Sequence, residues 1–207
     1  MSRLVYNDEL HRYTLDGRVI PSVTTIIHPL SAELYKFVDK DVMMKAAALG
    51  TAVHKVIELD IKGTLDLESL HDDIVPYYSA WLHFVSLSGF KMLASECRVH
   101  SDRYVYAGTL DLVGTLPTST GGIEYVIIDA KRCASVPRTA GPQTAGYEMA
   151  LRENPPEGVV IPPGAPIKRY ALHLKTNGSY ALVPFTDKGD ARVFLSCLSI
   201  HSWSKAA

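Results

Sequence analysis

The chain has 207 residues, of which 47% are hydrophobic and 21% are charged, so it can bury a substantial core without disulfides or a structural metal. Its 21 Lys and Arg residues balance 22 Asp and Glu residues, and the net charge of −1 excludes a globally basic surface for nucleic acid or anionic lipid. Three widely separated cysteines, Cys97, Cys133 and Cys197, argue against a disulfide framework and a cysteine-built metal site.

The first part of the chain is predicted to form a hairpin followed by helices. The Asp16-Gly17 turn signal places short strands over 12–15 and 18–20. A helix is expected to begin near Ser31, whose hydroxyl would cap it. Apolar residues at three- and four-residue spacing then predict a long helix over 43–61, and an aromatic-rich helix follows over 74–86.

The central part is predicted to be a sheet. Segments 90–99, 104–116 and 124–131 are rich in Val, Ile, Tyr and Leu and are separated by turn residues, which indicates three consecutive antiparallel strands. A helix over 139–153 ends before Pro155, because proline removes a backbone donor and disfavours helix in the preceding residue.

The last part is predicted to be a hairpin and a helix. Asn177-Gly178 joins strands over 167–176 and 179–185, and a helix covers 188–203. The order of elements predicts a mixed α/β or α+β sandwich around one sheet.

The strand that ends in Asp129-Ala130-Lys131 is the most informative segment. Because side chains alternate along a strand, Asp129 and Lys131 share one face. The pair suits metal-assisted phosphoryl chemistry, in which carboxylates hold Mg²⁺ or Mn²⁺ and the lysine orients water, helps to deprotonate it or stabilises developing charge. A salt bridge at a strand end is the simpler alternative.

Asp111 interrupts an otherwise apolar strand, where an unpaired charge is costly. Its neighbour Gly108 permits close approach of another group. Since the following Gly-rich turn returns the chain antiparallel, Asp111 and Asp129 are expected to converge on one metal. The alternative is a solvated acid on an exposed strand face.

Two helices each carry a pair of polar residues one turn apart. On the long helix, His54 could bind a divalent ion, with Glu58 on the same face. On the helix after the lysine strand, Gln143 and Tyr147 could reach a phosphate or base edge together. Taken singly, each pair could equally be an ordinary helix face.

Taken in chain order, these motifs resemble those of the RecB-like branch of the PD-(D/E)XK nuclease superfamily. The matching residues are His54, Gly108-x-x-Asp111, Asp129-x-Lys131 and Gln143-x-x-x-Tyr147. The resemblance covers most of the chain. It implies a restriction-endonuclease-like fold with a central mixed sheet that starts with three antiparallel strands and is flanked by helices.

The same resemblance assigns roles to these residues. The implied ligands of Mg²⁺ or Mn²⁺ are His54, Asp111 and Asp129. Lys131 would serve the attacking water, and Gln143 and Tyr147 would lie beside the site and the DNA. Two further acids, Glu58 and Glu96, would serve a second metal or lie on the surface; the surface is favoured for Glu58, and both readings stay open for Glu96.

One nuclease domain over 1–207 is expected, with an N-terminal hairpin and helix appendage (1–42), a catalytic core (43–153) and a C-terminal hairpin and helix (154–207). The four cysteines that bind an iron–sulfur cluster in some relatives are missing, so no cluster is expected. There is no phosphate-binding loop of a helicase motor either, so unwinding would require a partner. The opening segment 11–24 is similar to that of phage-encoded members.

The sequence therefore predicts a divalent-metal-dependent DNA nuclease, an exonuclease acting on DNA ends or single strands in phage or bacterial recombination, repair or DNA processing. Candidate DNA-binding residues are Lys55, Arg98, Arg132, Arg138 and Arg152. Two alternatives are a catalytically silent module that binds DNA or a recombination partner, and a hydrolase of small phosphate esters.

Expected partners are DNA and a helicase, single-strand-binding or recombination protein, with no membrane. The polar opening segment is unlike a signal peptide, which favours the cytoplasm of a bacterium or a phage-infected host.

Overall fold

A computed structural model describes residues 4–205. In this part of the chain, eight strands and five α-helices form two sheets with helices around the larger one. The strands are β1 (Leu4–Asn7), β2 (Arg12–Leu15), β3 (Arg18–Ile20), β4 (Lys91–Ser101), β5 (Tyr106–Pro117), β6 (Ile123–Lys131), β7 (Ile167–Leu174) and β8 (Tyr180–Pro184). The helices are α1 (Val23–Leu34), α2 (Lys40–Ile61), α3 (Val75–Leu87), α4 (Ala140–Glu153) and α5 (Asp190–Lys205).

The larger sheet has the order β4-β5-β6-β7-β8 and is mixed. Strands β4, β5 and β6 are antiparallel, α4 crosses over from β6 to a parallel β7, and β8 returns antiparallel. The predicted antiparallel start, the crossover helix and the Asn177-Gly178 hairpin are confirmed. The chain is thus an α+β protein with a five-stranded mixed sheet and a separate three-stranded antiparallel sheet, β1-β2-β3.

Two apolar layers cover the larger sheet. On one face, Ile26 of α1, Leu151 of α4 and Phe194 of α5 pack with Leu110 and Ile127 of the strands. On the other face, residues of α2 and α3 pack against the sheet, among them Val53, Ile57, Trp81, Phe84 and Ile128. The alternation along β6 follows from this, because Ile127 and Ile128 belong to opposite layers.

The largest error in a predicted boundary is at α1, and two elements were not predicted, β1 and a short 3-10 helix over Leu67–Ser69. The helix expected to begin near Ser31 begins at Val23, where the Ser22 side chain accepts a hydrogen bond of 3.0 Å from the Thr25 backbone N–H. A run of β-branched residues and Pro29, which lies inside α1, weaken the helical signal of this segment. Strand β1 is held by pairing with β2 rather than by a pattern of its own.

The small sheet is attached to β5 of the larger sheet. The Ala107 backbone N–H donates to the Pro21 carbonyl at 3.0 Å, and Tyr13 and Thr109 share a hydroxyl hydrogen bond of 2.6 Å. Tyr13 and Ala107 also belong to one small apolar cluster. Within residues 4–205, none of the helices combines the length and apolarity needed to cross a bilayer.

Candidate active site

Strands β5 and β6 separate where the candidate residues lie. Their pairing runs from Pro117 and Ile123 to Leu112 and Ile128, whereas the pairing of β6 with β7 on its other edge continues to Lys131. Asp111 bridges the opening, because its Oδ2 atom accepts a hydrogen bond of 2.7 Å from the Ala130 backbone N–H. The two strands thus diverge at the acids that the sequence predicted to converge.

Asp129 and Lys131 form a largely buried ion pair at the end of β6. Asp129 is 3% exposed, and its Oδ2 atom lies 2.7 Å from Lys131 Nζ. Among residues 4–205, no hydrogen bond with acceptable angles reaches that oxygen. A buried carboxylate oxygen that lacks a well-aligned donor retains the capacity to bind another cation.

The charges of this pair depend on each other. Burial raises the pKa of Asp129, while the Lys131 cation opposes that rise. Burial alone would lower the pKa of Lys131, but the Asp129 and Asp111 carboxylates outweigh it and raise that pKa. Lys131 therefore remains an ammonium near neutral pH, which can donate hydrogen bonds and stabilise negative charge but cannot readily accept a proton from water.

Gln143 links the ion pair to α4. Its Nε2 atom donates to Asp129 Oδ1 at 3.2 Å and to the Tyr147 hydroxyl at 3.3 Å, while Lys131 Nζ donates to its Oε1 atom at 3.4 Å. Gln143 and Tyr147 are both buried, and burial raises the pKa of Tyr147 well above its ordinary value. The predicted pair on α4 thus meets the predicted pair on β6.

Gly108 makes room for Tyr147. A Cβ atom at Gly108 would lie 2.5 Å from Tyr147 Cε1 and 3.2 Å from Val23 Cγ2. Such distances are shorter than van der Waals contact, so the absence of a side chain at Gly108 allows the tyrosine ring to pack on β5.

His54, Glu96 and Asp111 form a second group beside this cluster. Their nearest ligand atoms all lie within 4.8 Å of one another, and His54 Nδ1 is 3.6 Å from Asp111 Oδ1. We call these three residues the His–Glu–Asp group. Asp129, the third predicted ligand, is outside it and is engaged by Lys131 and Gln143.

Glu96 is the residue that sequence reasoning left undecided. It lies in β4, opposite Asp111, between the pairs Ser95–Leu112 and Cys97–Leu110. Its φ of +45° is in the left-handed region, so the strand is irregular at this point. Burial and the nearby Asp111 charge raise the pKa of Glu96 to about 7. The sequence showed an acid within a predicted strand at Glu96, but it did not show on which face of the strand the side chain lies.

The donors of the His–Glu–Asp group fit a divalent metal. One imidazole nitrogen and two carboxylates suit Mn²⁺, and carboxylate oxygens suit Mg²⁺. Burial and, after it, the Asp111 charge raise the pKa of Glu96, and a bound cation would offset both effects. The residues present are thus chemically able to hold the ion that the sequence implied.

The predicted DNA-binding cations do not share one surface. Lys55 and Arg98 line a cleft of about 900 Å³ that also contains His54 and Glu96. The others lie elsewhere: Arg132 over the Tyr77 ring, Arg152 paired with Glu148 beside another cavity, and Arg138 exposed before α4.

Two further residues have local structural partners. Glu58 pairs with Lys55 and Lys62 on α2. Trp81 is a core residue, 2% exposed, whose indole N–H donates to Asp60 at 2.7 Å.

A scan against protein-family models found no match, and a search of curated proteins found none either.

Proposed function

We propose that this chain is a divalent-metal-dependent deoxyribonuclease with a restriction-endonuclease-like fold of the RecB-like branch. One observation carries the proposal: six residues from four elements, dispersed over 94 positions of sequence from 54 to 147, lie in two adjoining clusters at one opening of the sheet. They are His54, Asp111, Asp129, Lys131, Gln143 and Tyr147. A single salt bridge at a strand end would not require the amide, the phenol and the imidazole.

The residues would hold Mg²⁺ or Mn²⁺ through His54, Asp111 and Glu96, with the unaligned oxygen of Asp129 nearby. When bound, the ion would neutralise charge on the scissile phosphate and supply Lewis acidity. Glu96 is an addition to the ligands implied by the sequence. Asp129, also an implied ligand, lies outside the His–Glu–Asp group and contacts Lys131 and Gln143.

Lys131 would act on the phosphate and on water. Its charge is secured by Asp129, so its N–H groups can orient the attacking water and stabilise negative charge that develops on phosphoryl oxygens. Gln143 contacts both members of the ion pair, which would restrict the orientation of the ammonium. Tyr147 stays protonated and supports the Gln143 amide.

DNA ends or single strands are the proposed substrate, in recombination, repair or DNA processing within a bacterial or phage-infected cytoplasm. The candidate phosphate-binding side chains beside the site are Lys55 and Arg98. Because these few cations would contact DNA phosphates, DNA binding would be confined to the cleft and salt would weaken it. A helicase or single-strand-binding protein would present the strand.

The test is a time course on end-labelled single-stranded and duplex DNA with Mg²⁺, Mn²⁺ or EDTA, with bis(p-nitrophenyl) phosphate as a small diester. Metal-dependent shortening of DNA supports the proposal, and the product ladder gives the polarity. Hydrolysis of the small diester without cleavage of DNA would instead support a hydrolase of small phosphate esters. DNA binding without any hydrolysis would instead support a catalytically silent DNA-binding module.

A further inference from the structure

The cleft beside the His–Glu–Asp group has walls from three parts of the fold. The small N-terminal sheet contributes Tyr6 and Tyr13, α2 contributes Lys55, and β4 contributes Arg98. We call this space of about 900 Å³ the N-terminal cleft. The small sheet therefore forms one side of the candidate active site.

Arg98 is the cleft residue best placed to bind an anion. Its side chain is 48% exposed, and its ion pair with Asp8 spans 4.0 Å, which exceeds a hydrogen bond. Its guanidinium carbon lies 5.0 Å from the centre of the Tyr6 ring, within the range of a cation–π contact. This contact orients the guanidinium without occupying its N–H donors in strong hydrogen bonds, so they remain available to a phosphate.

Tyr6 is itself held in place by the sheet. Its ring centre is 4.5 Å from that of Tyr13, and its hydroxyl is 3.0 Å from His11 Nδ1. Tyr13 is buried and joined to Thr109 of β5 by the hydroxyl hydrogen bond of 2.6 Å. A continuous series of contacts thus runs from β5 through the two tyrosines to Arg98, which makes Tyr6 a positioning residue for the guanidinium.

The size and charge of the cleft select the form of its ligand. A volume of about 900 Å³ is within the range that encloses a drug-sized molecule, so a few unpaired nucleotides fit where a duplex segment does not. The lining has three cations, Lys55, Lys62 and Arg98, and three acids, Asp8, Glu58 and Glu96. Because Lys55 and Lys62 share Glu58, Arg98 is the lining cation best able to contact the anionic backbone of a single strand.

We propose that the N-terminal cleft binds one unpaired strand of DNA and that Arg98 contacts a phosphate of that strand. This inference rests on the proposed function, because it specifies the form in which the substrate reaches the site. Single-stranded DNA gains the Arg98 contact, whereas a blunt duplex does not enter the cleft.

Binding is tested with the full chain in EDTA, using fluorescence anisotropy of a labelled oligothymidylate and a labelled blunt hairpin. Arg98→Ala should weaken oligothymidylate binding about tenfold and reduce the slope of log affinity against log salt by about 0.7. Tyr6→Leu should weaken it less, since the charge remains. Arg103→Ala is the matched control, because Arg103 also stacks on a tyrosine, with 5.1 Å to the Tyr104 ring, away from the cleft.

The hairpin should bind Arg98→Ala within about twofold of the wild-type affinity. Equal oligothymidylate binding by Arg98→Ala and Arg103→Ala would overturn the inference, and so would equal losses for the hairpin and the single strand. Thermal unfolding of each variant verifies that it is folded. Metal-dependent cleavage, measured separately, distinguishes the two failures: cleavage without Arg98-dependent binding rejects this inference, and Arg98-dependent binding without cleavage rejects the proposed nuclease.

Discussion

The ring of Tyr147 occupies the space that a side chain at Gly108 would need, with 2.5 Å between Tyr147 Cε1 and the position of a Cβ atom at Gly108. Because Tyr147 supports Gln143, and Gln143 supports the Asp129–Lys131 pair, this packing contact determines where the ammonium points. A change of one methyl group on β5 should therefore affect the chemistry.

Gly108→Ala should reduce the cleavage rate by more than about tenfold and the free energy of unfolding by about 1–3 kcal/mol. The ring must move, and the Gln143 contacts move with it. Single-turnover cleavage and urea unfolding measure the two effects. Gly50→Ala is the control, since a Cβ atom at Gly50 of α2 meets nothing within 4 Å and alanine favours a helix. Full activity in Gly108→Ala would show that the position of Tyr147 is unimportant.

Lys131→Met should destabilise the fold at neutral pH by about 3 kcal/mol, because it leaves the buried Asp129 carboxylate without its cation. Adding Asp129→Asn removes that charge and should recover most of the loss. Chemical unfolding of both single variants and the double variant gives the coupling between the residues. Additive effects would contradict a direct ion pair.

Asp111 accepts a hydrogen bond from Ala130 and is a proposed metal ligand, and substitutions can separate these two functions. Asp111→Asn retains an oxygen that can accept from the Ala130 N–H, so the metal-free fold should be nearly unchanged while Mn²⁺ binding and cleavage are lost. Asp111→Ala should lose stability as well. Calorimetric titration with Mn²⁺ and thermal unfolding test this distinction. Equal destabilisation by both substitutions would assign Asp111 a different structural role.

Glu96 should make the metal-free protein less stable as pH rises. Its folded pKa of about 7 is above the ordinary value of 4.5, so the folded state binds the proton more tightly. Stability contributed by this group is present below the unfolded pKa and is lost as pH rises towards 7. Glu96→Gln should therefore unfold at a higher temperature than wild type at pH 8 in EDTA, with little difference at pH 4.

Metal should reverse the order of the unfolding temperatures of wild type and Glu96→Gln. Mn²⁺ should raise the unfolding temperature of wild type more than that of Glu96→Gln, because a bound ligand stabilises the state that binds it. Equal shifts in the two proteins would show that Glu96 does not contact the ion.

The relation between Asp129 and Lys131 was predictable because it depends on the two-residue period of a strand. The helical period likewise predicted the Gln143–Tyr147 hydrogen bond. In both cases the residues lie within one element, so local geometry decides which side chains meet.

Contacts that depend on irregular backbone were not predictable in the same way. Glu96 adopts a left-handed conformation inside β4, and no glycine at this point of the sequence indicates it. The start of α1 was missed because β-branched residues and Pro29 mask its helical signal, whereas the cap at Ser22 fixes it. Arg98 could be chosen as a cation from sequence, but its stacking on Tyr6 depends on how the small sheet attaches to β5.

The most direct test of the account is the single-turnover cleavage rate of single-stranded DNA in Mn²⁺ for wild type, Lys131→Ala and Lys168→Ala. Lys168 is the control, an exposed lysine paired with Glu124 on the sheet. We expect metal-dependent cleavage by wild type and Lys168→Ala and a rate about 10³-fold lower for Lys131→Ala. Folded Lys131→Ala that cleaves as fast as wild type would contradict the assignment of the site.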